Sequence, residues 1–281
     1  MASCYLQSKQ WYWLSNLCKK EGAKVIDEQQ IINASDSYRL IAECFDSIEE
    51  ELKRKNRFSN EKLDILVKSL TSESSNIEVY DAMKLKRARI YNEPDAVERF
   101  RNPTNCPFYG YDKEGSFVNL QGTSEGRCNP KHIAYLYAAD SVDCCIAEIN
   151  PSMGSIVSVA EIKANEKLRI LNLSKTFAIS SKIGSLISGV TDSDVFLYLQ
   201  NLFSRPHQND TDYYLTQYIS EKIKNSGFDG LSFHSSKYAH KNALGKTEYG
   251  YNFVIFNYDK CEAVSSKLYR VETIEYGFRE P

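Results

Sequence analysis

The chain has 281 residues, a hydrophobic content of 42%, a charged content of 26% and a formal net charge of −2. That length allows one large domain or two smaller ones, and the balance is that of an ordinary soluble globule. The near-neutral charge argues against a protein built to coat nucleic acid, and no apolar run is long enough to span a bilayer.

Residues 1 to 76 read as helical. Tyr5 to Lys20 carries Leu6, Trp13, Leu14, Leu17 and Cys18 at mixed three- and four-residue spacing. Ser35 or Asp36 is placed to cap a second helix, Ser37 to Arg54, with Leu40, Ile41, Cys44, Phe45, Ile48 and Leu52 on one side. Its basic end, Lys53 to Lys55, complements the helix dipole. Ser59 or Asn60 caps a third helix, Glu61 to Leu70, and the polar joint Thr71 to Asn76 is the expected domain boundary. The segment contains no histidine and no catalytic constellation, so a packing or dimerisation extension is its simplest reading.

Lys84 to Tyr91, KLKRARIY, alternates as a strand. Period two puts Arg87 and Arg89 on one face with Leu85 and Tyr91. Two guanidiniums side by side repel unless they point into water or something anionic lies opposite. Asn92 to Glu125 is broken by Pro94, Pro103, Pro107, Gly110, Gly115 and Gly122 and reads as loop; solvent exposure is the simpler reading of its Arg99, Arg101 and Tyr109, and reach toward a site is the alternative.

The centre of the chain is GRCNPKHIAYLYAADSVDCCIAEIN, Gly126 to Asn150. A turn with one cation leads into an apolar strand, Ile133 to Ala139. Asp140 and Ser141 then cap a short helix, Val142 to Ile149, ended by Asn150 and Pro151. Glu148 closes that helix among apolar neighbours, where a carboxylate costs free energy unless it is paired or used.

Two more strands are expected at Ser155 to Lys163 and Leu168 to Leu173. Asp192 or Ser193 caps a helix through Phe203, and Asp212 to Ser226 forms another, ended by Gly227. Phe228 to Leu231 turns into a strand closed by Ser235-Ser236-Lys237. Tyr251 to Asn257, YNFVIFN, is a buried strand, and Lys267 to Tyr276 an edge strand.

Eight cysteines are scattered, with one adjacent pair, Cys144-Cys145, and only four histidines accompany them. No Cys-x-x-Cys pair occurs, so a zinc site is not expected. The scatter fits reduced thiols in a cytoplasm, and the first twenty residues lack the basic start and apolar block of a signal peptide. Nineteen tyrosines supply faces for packing and for stacking against rings.

Four separated blocks, in order, resemble the RES domain family, named for an arginine, a glutamate and a serine. They are the Arg-x-Arg strand, Gly126-Arg127-Cys128-Asn129 with Tyr137-Ala138-Ala139 and Ala147-Glu148, Phe228-Asp229-Gly230 with Ser235, and Asn252-Phe253-Val254. The likeness covers about Leu85 to Val264 and departs at Lys86, where the family often has an aromatic residue, and at His234, where it usually has proline.

The resemblance implies an α+β fold: a mixed-sheet, ADP-ribosyltransferase-like RES domain at 77–281, preceded by an N-terminal helical domain at 1–76. It implies an enzyme that degrades NAD as substrate. Arg87 and Arg127 grip phosphate through forked hydrogen bonds, with Arg89 and Asn129 in support. Tyr137 stacks on the nicotinamide ring. Glu148 stabilises the oxocarbenium-like state as the ribose–nicotinamide bond breaks, and Ser235 hydrogen-bonds at the ribose or amide. No metal is required, and no Gly-x-Gly-x-x-Gly fingerprint signals Rossmann-type binding. The expected partner is an antitoxin or inhibitor protein, with a homodimer left open; membrane and nucleic acid are not expected. ADP-ribosyl transfer to a protein or nucleotide, and nucleotide binding without turnover, are the alternatives. Released nicotinamide, or label on a macromolecule, separates them.

Overall fold

A computed structural model describes residues 28–92, 107–120, 123–175, 187–204 and 213–274. The expected helix at Tyr5 to Lys20, and Arg99 and Arg101, lie outside the described residues. The chain divides into two compact units, one of Met1–Ile77 with Asn172–Ser226, the other of Glu78–Leu171 with Gly227–Pro281.

The first unit is helical. Helix α1 runs Glu28–Arg54. It starts earlier than expected, so Asp36 lies within the helix and does not cap it; its carboxylate pairs with Arg39 at 3.4 Å along the helix. Tyr38, Ile41, Ala42, Phe45, Ile48 and Leu52 form its buried stripe. Helix α2, Glu61–Ser72, is capped by Asn60, whose Oδ1 accepts from Leu63 N at 3.1 Å.

Two later helices, α5 (Asp192–Ser204) and α6 (Tyr214–Asn225), belong to the same unit. Tyr198 packs its ring on Tyr38 and Phe45 at 5.5 and 5.0 Å. The Tyr218 hydroxyl accepts from Asn60 N and donates to Asp64 Oδ1, both at 2.8 Å. The sequence puts a boundary at Thr71 to Asn76; contacts join 172–226 to the helices before that joint as well.

The second unit is built on one eight-stranded mixed sheet of order β1-β5-β6-β7-β3-β2-β4-β8. Its strands are β1 Ile77–Tyr80, β2 Lys84–Ile90, β3 Leu136–Ala139, β4 Ile156–Ala164, β5 Leu168–Asn172, β6 Gly230–Lys241, β7 Thr247–Ile255 and β8 Cys261–Arg270. Strand β6 continues past the expected stop at Lys237 because it pairs with β7 as a hairpin, Ala239 opposite Tyr249 and Lys241 opposite Thr247. Strand β8 is an edge strand, as expected, but lies earlier in the chain than Lys267 to Tyr276: it starts at Cys261, where β4 pairs with it from Ala164, and ends at Arg270, with residues 271–274 outside any strand.

Two short helices flank the sheet. Helix α3, Lys113–Ser116, interrupts the expected long loop and is capped by Asp112. Tyr109 in that loop is tied to β8 through its backbone, Tyr109 N donating to Ser266 O at 3.0 Å. Helix α4, Val142–Glu148, is capped by Ser141, whose Oγ accepts from Cys144 N at 3.2 Å. It ends where Asn150 turns left-handed, at φ 49°, before Pro151.

The sheet has two apolar faces. Leu85, Leu136, Ala138, Ala160, Ile162, Phe253 and Ile255 cluster on one. Ala88, Ala139, Val157 and Val159 cluster on the other with Cys144 and Cys145 of α4. Strand β2 pairs with β4 along seven residues, Lys84 to Ile90, but with β3 only at Lys86 and Ala139.

Candidate active site

Glu148 stands at the last position of α4, half-buried. Its Oε1 accepts two side-chain hydrogen bonds, from Ser235 Oγ at 2.5 Å and from Asn252 Nδ2 at 2.8 Å. Oε2 has no hydrogen-bond partner among the described residues. Lys237 Nζ donates to the Glu148 carbonyl at 2.7 Å, a cation at a helix C-terminus.

Ser235 is buried on β6. Its Oγ also accepts from Lys237 N at 3.1 Å and Tyr238 N at 3.0 Å. Both lone pairs and the proton of the hydroxyl are therefore used. The two donors to Glu148 come from adjacent strands, since Asn252 on β7 lies opposite Phe233 on β6 and Ser235 follows two residues later on the same side.

Tyr137 and Asn129 form a second group. The Tyr137 hydroxyl donates to Asn129 Oδ1 at 2.6 Å and accepts from Cys128 N at 3.0 Å. Asn129 is buried, and its Nδ2 lies within hydrogen-bond distance of the carbonyls of Ser124, Pro130 and Ile133. Gly126 closes this turn: a Cβ there would meet Asn129 Oδ1 at 2.6 Å and the Tyr137 hydroxyl at 2.8 Å. Asn129 thus spends its amide on the shape of the turn, and Tyr137 spends its hydroxyl there. Arg127, on the same turn, holds its guanidinium 5.9 Å from the Phe233 ring.

Arg87 and Arg89 are drawn to backbone carbonyls. Arg87 Nη1 donates to Tyr137 O at 2.6 Å, where β2 and β3 part, and Arg89 Nη2 donates to Phe117 O at 2.6 Å. Arg87 Nε is buried with no partner. Burial, with Arg89 adding to it, lowers the Arg87 pKa to about 10; burial also lowers that of Arg89. Arg87 remains a cation at neutral pH, and no carboxylate pairs with it among the described residues. Strand parity puts Arg87 on the face of Leu85, while α4 covers Ala88 and Ala139 on the other. The structure joins Glu148 with Ser235, and Tyr137 with Asn129 and Arg87; it does not bring Arg87 within hydrogen-bond reach of Glu148 or Ser235.

Asn252 was not among the residues the sequence assigned to the site. Its signal was present: one amide inside the apolar strand YNFVIFN needs a partner. Lys237 and Cys144 carry no local signal that marks them as site residues. Among the described residues no group of three or more His, Cys, Asp or Glu side chains is placed to hold a metal ion, and no helix is long and apolar enough to cross a membrane.

Comparison with curated proteins gives no match. Among solved structures, the chain resembles one in the crystal structure of the M. tuberculosis MbcT–MbcA toxin–antitoxin complex, with 12% identity, a TM-score of 0.37, and coverage of 75% of this chain and 93% of that one. Residues 99–278 match the model of the RES domain, a span that starts after β2 and takes in Arg127, Tyr137, Glu148, Ser235 and Asn252. That match covers well over half of the sequence, and the chain belongs to the RES domain family.

Proposed function

We propose that this chain cleaves the bond between ribose C1 and the nicotinamide nitrogen of NAD, and that it acts in the cytoplasm as the toxin of a toxin–antitoxin or defence system, held in check by a cognate inhibitor protein. The observation that carries this reading is the Glu148 carboxylate, fixed at Oε1 by Ser235 and Asn252 and open at Oε2. A fixed anion with one free oxygen suits a positive charge that develops on a sugar ring as its leaving group departs.

The bond's electron pair goes to the nicotinamide ring, which leaves neutral. C1 is left cationic, and Oε2 of Glu148 faces that charge. Water attacking C1 and shedding a proton gives ADP-ribose, and phosphate attacking C1 gives its 1-phosphate. Arg87 supports an anionic ligand, because its buried Nε has no partner and its charge has no counter-ion among the described residues. Arg127, on the Gly126 turn, is the second phosphate contact of this proposal. Tyr137 offers a ring for stacking while its hydroxyl holds the turn.

The test is chromatography of nicotinamide released from NAD by the purified chain, with and without phosphate. Release that accelerates with phosphate, accompanied by ribosyl phosphate, assigns a phosphorylase. Release indifferent to phosphate assigns a glycohydrolase. Label from the adenine moiety on a macromolecule makes it a transferase instead. No release, with an unchanged NAD pool and normal growth on induced expression, overturns the proposal.

A further inference from the structure

Asn252, the second donor to Glu148, is itself held by a further contact. Asn252 sits in mid-sheet, its strand flanked by Ala139 of β3 on one side and Phe233 of β6 on the other. Its Nδ2 donates to Glu148 Oε1 at 2.8 Å, and its Oδ1 lies 3.9 Å from Cys144 Sγ, one turn before Glu148 on α4. The amide has only one workable orientation. Turned over, its oxygen would face the carboxylate oxygen, two acceptors in contact, and its NH2 would face the thiol hydrogen.

Burial pushes the Cys144 thiol up to about 12, so at neutral pH it carries its proton and can donate. The same sulfur lies 4.0 Å from Tyr251 O, on the other side of the peptide that leads into Asn252. Gly250 makes the approach possible, since a Cβ there would meet Cys144 Sγ at 2.6 Å. Helix α4 is thus keyed to β7 through one thiol and one amide, and the carboxylate is aimed by the same two residues.

We infer that Asn252, oriented by Cys144, is a positioning residue that fixes the rotation of the Glu148 carboxylate and so selects Oε2 as its working oxygen. Ser235 alone leaves the carboxylate free to turn about that one bond; a second donor from a different strand to the same oxygen removes that freedom. The inference rests on the proposed reaction only for its kinetic readout.

The experiment has a kinetic and a thermodynamic arm on the full chain. Asn252→Ala is expected to lower kcat for nicotinamide release by about a hundredfold, as small misplacement of a reacting group does, with KM for NAD little changed. Asn252→Asp, of nearly the same shape, is expected to be poor at neutral pH, where two carboxylates face each other. It should recover as pH falls and the new carboxyl gains a proton to donate, giving a profile shifted to acid relative to the wild type. In the thermodynamic arm, urea midpoints are measured for Asn252→Ala, Glu148→Ala and the double variant; the two single shifts should not add. Additive shifts, wild-type kcat in Asn252→Ala, or an unshifted profile in Asn252→Asp would each overturn the inference. Coupled midpoints in a protein that releases no nicotinamide would leave the positioning role intact and remove the proposed reaction.

Discussion

Ser235 donates its hydroxyl proton to Oε1 of Glu148 across 2.5 Å, from a strand 87 residues downstream. The same oxygen atom of Ser235 accepts from the backbone of Lys237 and Tyr238. Ser235→Ala therefore removes a charge-assisted hydrogen bond and leaves two N–H groups without their acceptor. The expected loss is about 1–3 kcal/mol of stability, together with slower nicotinamide release. A urea titration beside the release assay checks both. A variant with wild-type midpoint and rate would mean the bond is not made in solution.

The helical unit is discontinuous in sequence, and that bears on truncation. Residues 28–76 supply Asn60 and Asp64 to Tyr218, Arg57 to Gln217 at 3.0 Å, and Asp64 to Lys222 at 3.0 Å. A chain that starts at Ile77 keeps α5 and α6 but loses these partners and the stripe of α1. Leu215, Tyr218, Ile219 and Ile223, all buried in the intact chain, then gain exposure. The expected outcome is a markedly lower melting temperature or insolubility, measured by thermal scanning of both chains. A truncated chain that melts with the intact one would establish 77–281 as a domain by itself.

The local elements were legible wherever a cap and a period agreed. Asn60 before α2 and Ser141 before α4 are examples, and both caps are made. The period-two reading of Lys84 to Tyr91 gives β2, with Leu85 buried and Arg87 on its face. What was not legible depends on pairs far apart in sequence. Glu148 and Asn252 are 104 residues apart, and no local pattern marks one as the other's partner. The grouping of 172–226 with the first helices is of the same kind. Ser235-Ser236-Lys237 reads locally as the close of its strand; hairpin pairing with β7, not burial, carries the strand on to Lys241. The family likeness is what marks Glu148, Ser235 and Tyr137 as site residues; composition and spacing alone make Glu148 a helix-end carboxylate.

Cysteine chemistry should separate sharply by burial. Burial pushes Cys144 and Cys145 up from 9.0 to about 12, and Cys261 up from 9.0 to about 11. Cys44 is partly exposed. At pH 8 in the native state iodoacetamide is expected to label Cys44 well before these three, with site occupancy read by mass spectrometry. The linkage has a definite sign. Because the folded values lie above the unfolded one, these thiols contribute stability that is fully present below pH 9.0 and is lost as pH rises toward about 12. Urea midpoints should fall across that alkaline window; rapid labelling of Cys144 at pH 8 would show that α4 opens readily from the sheet.

Glu148→Gln is expected to cut turnover by about a hundred- to thousandfold while leaving NAD binding and folding largely intact. Both protein donors, Ser235 Oγ and Asn252 Nδ2, point at Oε1. The carbonyl oxygen of a glutamine takes that place and accepts from both, so the side chain keeps its anchor. Its NH2 group must then occupy the Oε2 position. In the proposed reaction the wild type presents a negative oxygen to the developing cation, and the variant would present a donor with partial positive charge. The loss is felt only as charge develops, so it lowers kcat and leaves ground-state affinity nearly unchanged. Losing a preorganised group of this kind costs about 2.7–4 kcal/mol, or about a hundred- to thousandfold in rate. Nicotinamide release and calorimetric NAD binding, measured on the same preparation, test the two halves together. Wild-type turnover would remove Glu148 from the chemistry, and binding lost together with the folded state would make it a structural residue that keys α4 to β6 and β7.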